Sequence, residues 1–245
     1  MSPPLIEACV EHPGSAVAAA KAGAGRLELC AALSDGGMTP SAGMIRVVRA
    51  AVAVPVHVLI RPRVGDYVFD PTELDVMVAD ILEARRGGVD GVVIGALTGA
   101  RTVDRDAVAR LVSAAGPLGV TFHRAVDQTA DIVGAVETLA KLGVQRVLTS
   151  GGAATAEQGI PTLRRLVQLF GGRVTILAGG RVRSGNAARI VRETGVRELH
   201  LGPRTPERGD LDVTMLEQVI AEVRSFDGAE TDPVPRTYVP DPTKE

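Results

Sequence analysis

Short runs rich in Val, Ile and Leu recur along the chain, separated by longer stretches in which apolar residues return at helical spacing or alanines dominate. Period two marks a strand and period 3.6 a helix. The pattern predicts strands at Leu5–Val10, Arg26–Cys30, Val56–Arg61, Gly91–Gly95, Val120–His123, Arg146–Ser150, Val174–Gly179 and Glu198–Gly202. Helices are expected at Gly14–Ala22, Pro40–Ala53, Pro71–Arg86, Asp104–Ala114, Ala130–Leu142, Ala156–Phe170, Ser184–Thr194 and Val213–Ser225. Asp70-Pro71 and Thr39-Pro40 each set a capping residue before a proline in the first turn. Gly23, Gly88, Gly119, Gly143 and Gly195 stand ahead of strands, where a glycine closes the preceding helix. Eight βα units in unbroken alternation predict an α/β fold, a single (β/α)8 TIM barrel over residues 1–226. A doubly wound open sheet is the alternative, because alternation does not show closure. Residues 227–245, rich in Pro, Thr and acid, read as a C-terminal extension, mobile or wrapped on the surface.

Side-chain parity turns this barrel into a chemical map. In the third strand Val56, Val58 and Ile60 share the face that must meet the helices, so His57 and Arg61 point inward. The same logic sends Glu7, Cys9, Glu28, Cys30, Thr121, His123, Glu198 and His200 inward. Barrel interiors are dominated by branched aliphatics. This one is expected to hold acids, an arginine and three of the chain's four histidines. With a rise of about 3.3 Å per residue, each Glu of the first two strands lies roughly 6–7 Å below its Cys. Cys9, Cys30, Arg61, His123, Ser150, Gly179 and Gly202 then approach the C-terminal mouth, where barrel sites are built, with Glu7, Glu28 and His57 beneath as support.

Composition narrows the partners. A formal net charge of −2 and no basic run argue against nucleic acid. The longest apolar run, Ala50 to Ile60, is too short for a membrane span and carries Pro55. Met1-Ser2-Pro3-Pro4 has neither a charged n-region nor an apolar core, so no signal peptide is expected. Two cysteines make no disulfide framework, and a cytoplasmic setting keeps both reduced. Nothing implies an organic cofactor, and a homo-oligomer stays open.

Several residues carry candidate chemistry. Cys9 and Cys30 read either as small buried apolar side chains or as a two-thiolate site for a soft ion such as Cu(I). Lying level on neighbouring strands, they would also be close enough for a disulfide. Zinc is disfavoured by the lack of four ligands. His123, Arg124 and Asp127 read as an acid/base or anion-binding set, or as a local Arg124–Asp127 ion pair. His57 reads as a core histidine satisfied by Glu28 or Glu7. Arg61 and Arg63 suggest recognition of a carboxylate or phosphate, unless Arg61 neutralises Glu28. The turns Ser150-Gly151-Gly152 and Gly179-Gly180-Arg181 have the look of phosphate cradles, although glycine turns also serve steric ends. His12 reads as a solvated loop residue or a third metal ligand.

In combination, Glu7-Ala8-Cys9, Arg26-Leu27-Glu28-Leu29-Cys30-Ala31, Gly36-Gly37-Met38-Thr39-Pro40, His57-Val58-Leu59-Ile60-Arg61-Pro62-Arg63, Thr121-Phe122-His123-Arg124-Ala125, Leu148-Thr149-Ser150-Gly151 and Ile176-Leu177-Ala178-Gly179-Gly180 are specific. They resemble the CutC family of copper homeostasis proteins, from about Leu5 to Gly202. The resemblance implies a (β/α)8 barrel and a cytoplasmic protein linked to copper, with Cys9 and Cys30 as Cu(I) ligands. The 203–210 segment is shorter than the loop usual there in that family. Two readings follow. One is a Cu(I)-binding homeostasis protein. The other is an enzyme on a small phosphorylated or carboxylated metabolite, with His123 as general acid/base, Glu7 or Glu28 as partner acid and Arg61 as anion clamp. A non-catalytic metabolite sensor on the same pocket is a third.

Overall fold

The computed structural model of the chain describes residues 3–202 and 211–225; the C-terminal extension and the 203–210 segment, of which the sequence raised expectations, lie outside the described residues. The strands are β1 (Leu5–Val10), β2 (Arg26–Leu29), β3 (Val56–Leu59), β4 (Gly91–Ile94), β5 (Gly119–Phe122), β6 (Arg146–Thr149), β7 (Thr175–Gly179) and β8 (Glu198–Leu201). Each pairs in parallel with its neighbour in sequence, and β8 returns to pair with β1. Closure decides for the TIM barrel over the open sheet. Around it run α1 (Pro13–Lys21), α2 (Ala42–Ala51), α3 (Pro71–Arg86), α4 (Arg105–Ala115), α5 (Ile132–Lys141), α6 (Ile160–Phe170), α7 (Ala187–Thr194) and α8 (Val213–Ser225). Among the described residues, no helix is long and apolar enough to cross a membrane.

Local chemistry sets the boundaries. Asp70 caps α3 in a reciprocal pair: its carboxylate accepts from the Glu73 N–H, and its own N–H donates to the Glu73 carboxylate, each at 2.9 Å. The Thr39-Pro40 start does not occur. Ser41 caps α2, accepting from the Met44 N–H at 3.1 Å, while the Thr39 hydroxyl accepts from the Arg61 N–H at 2.9 Å and pins the end of β3. Helix α4 ends on Gly116 at φ 59°, and Gly119 belongs to β5. His12, expected in a loop or on a metal, caps α1: its Nδ1 accepts from the Ser15 N–H at 3.2 Å.

The two faces of the strands pack as parity requires. Val56, Val58, Ile60, Val120, Phe122, Leu199 and Leu201 join the large core under the helices. Inside the barrel, Cys9, Cys30, Leu59 and Val93 form a separate small cluster. Strand β4 and its end give up side-chain volume. A Cβ on Gly91 would meet the His57 ring at 2.6 Å, and one on Gly95 would meet the His123 ring at 2.1 Å. Two glycines thus make room for two interior histidines.

Candidate functional site

The barrel floor is an ionic network. Glu7 is fully buried and accepts from Arg26 Nε; its other oxygen lies 2.8 Å from His200 Nδ1. Arg26 reaches Glu198 at 2.6 Å, and Arg146 reaches the same carboxylate at 2.7 Å. Burial alone would raise the Glu7 carboxyl, but the His200 hydrogen bond and the Arg26 and His200 charges outweigh it and hold the group well below the usual carboxylate range. For His200, burial opposes the charged ring, and the Glu28 and Glu7 carboxylates overcome it and push its pKa up. Burial raises Glu28, against the pull of His200 and with the added repulsion of Glu7. Parity placed Glu198 and His200 here. It applies equally to Arg26, two residues before Glu28, and to Arg146, four before Ser150; both were passed over as strand-opening residues.

Above the floor sit the thiols. Cys9 Sγ and Cys30 Sγ are 3.6 Å apart, and a Glu28 oxygen joins them in a cluster whose ligand atoms all lie within 4.8 Å of one another. The cysteines are not level, as the sequence suggested. Glu7 is in register with Arg26 and Cys9 with Glu28, so Cys30 stands one step higher and the thiols approach along a diagonal. This stagger follows from the shear that closing a barrel imposes. It also brings Glu28 up beside the thiols, while Glu7 stays beneath. The Cys30 hydrogen bond favours a thiolate at Cys9, but burial and the Glu28 and Glu7 charges prevail and raise its pKa to about 11. Burial, then Cys9 and Glu28, drive Cys30 well up. Both thiols are therefore protonated near neutrality.

Cys9, Glu28, Cys30, Arg61, His123 and Arg124 share one cavity of about 290 Å3 at the barrel mouth, which Tyr67 and His200 also line. Arg61 does not neutralise Glu28. Its Nη1 donates to Gly37 O and its Nη2 to Gly65 O, both at 3.0 Å. The guanidinium lies 5.1 Å over the Tyr67 ring, whose centroid is 4.8 Å from that of His123. His123 Nδ1 accepts from the Ala125 N–H at 3.1 Å. Burial and the Arg61 charge lower its pKa to about 3, so the ring is neutral at physiological pH. That leaves it a weak base and suits it to donating a hydrogen bond. His57 is not satisfied by Glu7 or Glu28: its Nδ1 has no partner among the described residues, and burial lowers its pKa to about 4.

Other candidates turn away from the cavity or spend their donors locally. Arg63 pairs with Glu73 and Asp66 on the outside. Arg124 Nε donates to Asp127 at 2.9 Å and its Nη2 to Ser150 Oγ at 2.8 Å. The Asp127 carboxylate accepts from the Ser150 and Gly152 N–H groups, and the Gly151 N–H donates to Thr149 Oγ1. The turn after β6 thus cradles an anion, and that anion is the protein's own Asp127. Gly179 and Gly180 serve packing: a Cβ on the first would strike Leu148 at 2.5 Å, and one on the second would come within 3.1 Å of Ser150. Tyr67, in the loop after β3, was not foreseen; no local pattern marks a loop tyrosine as lining a cavity.

Known proteins are similar to this chain in sequence and fold. The CutC family profile matches residues 4–205. A human protein named copper homeostasis protein cutC homolog is 44% identical over 82% of this chain and 74% of its own length. A CutC family protein of Xanthomonas campestris is 47% identical over 82% of this chain and 84% of its own. The crystal structure of a CutC protein from Streptococcus agalactiae superposes with a TM-score of 0.77 at 34% identity, covering 80% of this chain and 97% of that one. On this agreement of sequence and barrel, the chain belongs to the CutC family.

Proposed function

We propose that this protein serves copper homeostasis in the cytoplasm, taking a Cu(I) ion between Cys9 and Cys30. The observation that carries the reading is the 3.6 Å separation of two buried thiols beside Glu28. Metal–thiolate bonds run about 2.3 Å, so one ion can reach both sulfurs without moving a strand. Soft thiolates select Cu(I) over harder divalent ions, and two sulfurs with one carboxylate fall short of the four ligands of structural zinc. The human relative's name points the same way. Free thiols so close together persist in a reducing compartment, which supports the location.

Protonated thiols keep two negative charges out of a buried site until an ion arrives. Binding must then release protons, so affinity rises with pH. The reading is tested by anaerobic Cu(I) titration against a competing chelator. Wild type should bind one ion, and Cys9→Ser/Cys30→Ser should lose that binding; unchanged binding in the double variant overturns the proposal.

A further inference from the structure

The two thiols are neighbours in space but not equals. Both line the mouth cavity. Cys30 is only 1% exposed, because the loop after β2, closed by the Ala31–Met38 bridge, lays Leu33 against the thiol cluster and brings Gly37 beside the Cys30 Cβ. Cys9 is 8% exposed. Its side chain points into the barrel and helices cover the outer face, so that surface opens on the cavity. Cys9 is in register with Glu28, which sets Cys30 two residues further along the neighbouring strand. Strands lie about 4.8 Å apart and two residues advance about 6.6 Å, so the α-carbons of the two cysteines stand roughly 8 Å apart. A disulfide wants α-carbons within about 7 Å and sulfurs at about 2.05 Å. The sulfurs are 3.6 Å apart, and both strands are fixed in a closed barrel.

We propose that Cys9 is a site of S-thiolation: a small disulfide entering the cavity forms a mixed disulfide with Cys9 that Cys30 cannot resolve. The Cys9 sulfur attacks one sulfur of the reagent R–S–S–R. A Cys9–S–S–R bond forms, the reagent's own S–S bond breaks, and the Cys9 proton ends on the released thiol R–SH. The reagent is the oxidant: Cys9 is oxidised and the departing half is reduced. In a dithiol that can close, the second thiol then displaces the other R–SH and leaves an internal disulfide. Here the stagger stops the sequence after the first exchange. The cavity of about 290 Å3 has room for about ten water volumes of roughly 30 Å3 each, which sets the retained R–S group at about ten non-hydrogen atoms or fewer. The Cys9 thiol is protonated near neutrality, so the exchange is slow there. No step involves copper, so the site stands apart from the Cu(I) reading.

The test is to incubate the full, metal-free chain with 2-hydroxyethyl disulfide, without air and at mildly alkaline pH, and to read it by intact mass and peptide mapping without reductant. One adduct per chain is expected, on Cys9, with Cys30 left as a free thiol, and dithiothreitol should remove it. Cys9→Ser should take no adduct. Cys30→Ser should take and keep the adduct as wild type does; a Cys30 able to resolve it would make wild type shed it. In urea the same reagent should reach both cysteines, which shows that it is competent. An internal Cys9–Cys30 disulfide in the folded chain, an adduct on Cys30 with Cys9 free, or no adduct on the folded chain while the unfolded chain reacts would each overturn the proposal. The wild-type map alone decides among these, so a variant that fails to fold leaves the test intact.

Discussion

The two walls of the barrel interior handle buried charge in opposite ways. On β1, β2 and β8, Glu7, Arg26, Glu198 and His200 are tied to one another, with Arg146 of β6 closing the network. On β3 and β5, Arg61 and His123 are equally buried yet keep unpartnered nitrogens. The first wall ties its charges to one another beneath the two thiols; the second leaves Arg61 Nε and His123 Nε2 buried without partners among the described residues.

The largest effect should come from breaking the first wall. Glu7→Gln leaves Arg26 and His200 facing a neutral amide, and removing one partner of a buried ion pair costs about 3–5 kcal/mol. A denaturant melt checks this; a change below about 1 kcal/mol would mean that the floor charges are compensated elsewhere.

Next comes pH. The pKa values of His57 and His123 are about 4 and about 3 in the folded protein, against 6.5 for a free histidine. The unfolded chain therefore takes up protons first, between pH 6.5 and 4, and stability falls as pH drops through that window. For His57 alone the fall amounts to about 3 kcal/mol. His57→Gln should flatten the slope, and an unchanged slope would show that the ring is protonated in the fold. His200, raised, works in the other direction: its contribution is complete below the unfolded value and fades as pH rises through the folded one.

Gly95→Ala should cost about 1–3 kcal/mol by overpacking the His123 ring. Its discriminating partner is His123→Ala, which empties the space the new methyl enters, so the double variant should be more stable than the sum of the two losses. Strict additivity would show that the ring does not press on Gly95.

The smallest effect is expected on the second wall. Arg61→Met gives up hydrogen bonds to Gly37 and Gly65 but relieves a buried, unpaired charge, for a net change of about 1 kcal/mol or less in a melt. A loss as large as that of Glu7→Gln would make the guanidinium structural and erase the contrast between the walls.

The barrel was legible in the sequence because its eight strands and eight helices announced themselves by period, even where their ends shifted; β1, α3 and α8 match residue for residue. Parity alone placed His57, Arg61, His123 and His200 inside. The depth of one strand against the next was not legible, since shear belongs to the closed barrel and to no single strand. The cysteines were therefore expected level, and Glu28 was left beneath them. Side-chain partners were harder still. Nothing in Thr149-Ser150-Gly151-Gly152 shows that Asp127, more than twenty residues earlier, fills the turn, and nothing near Arg61 shows that no acid reaches it. Short 3-10 turns at Leu33–Asp35 and Arg124–Gln128 also escaped, being too brief for periodicity to register.

The most direct test of the thiol site is copper K-edge X-ray absorption on protein loaded with one equivalent of Cu(I). Cys9 and Cys30 predict a first shell containing two sulfurs at roughly thiolate bond length, replaced by light atoms in Cys9→Ser/Cys30→Ser. A shell of nitrogen and oxygen alone in the wild-type protein would contradict the account.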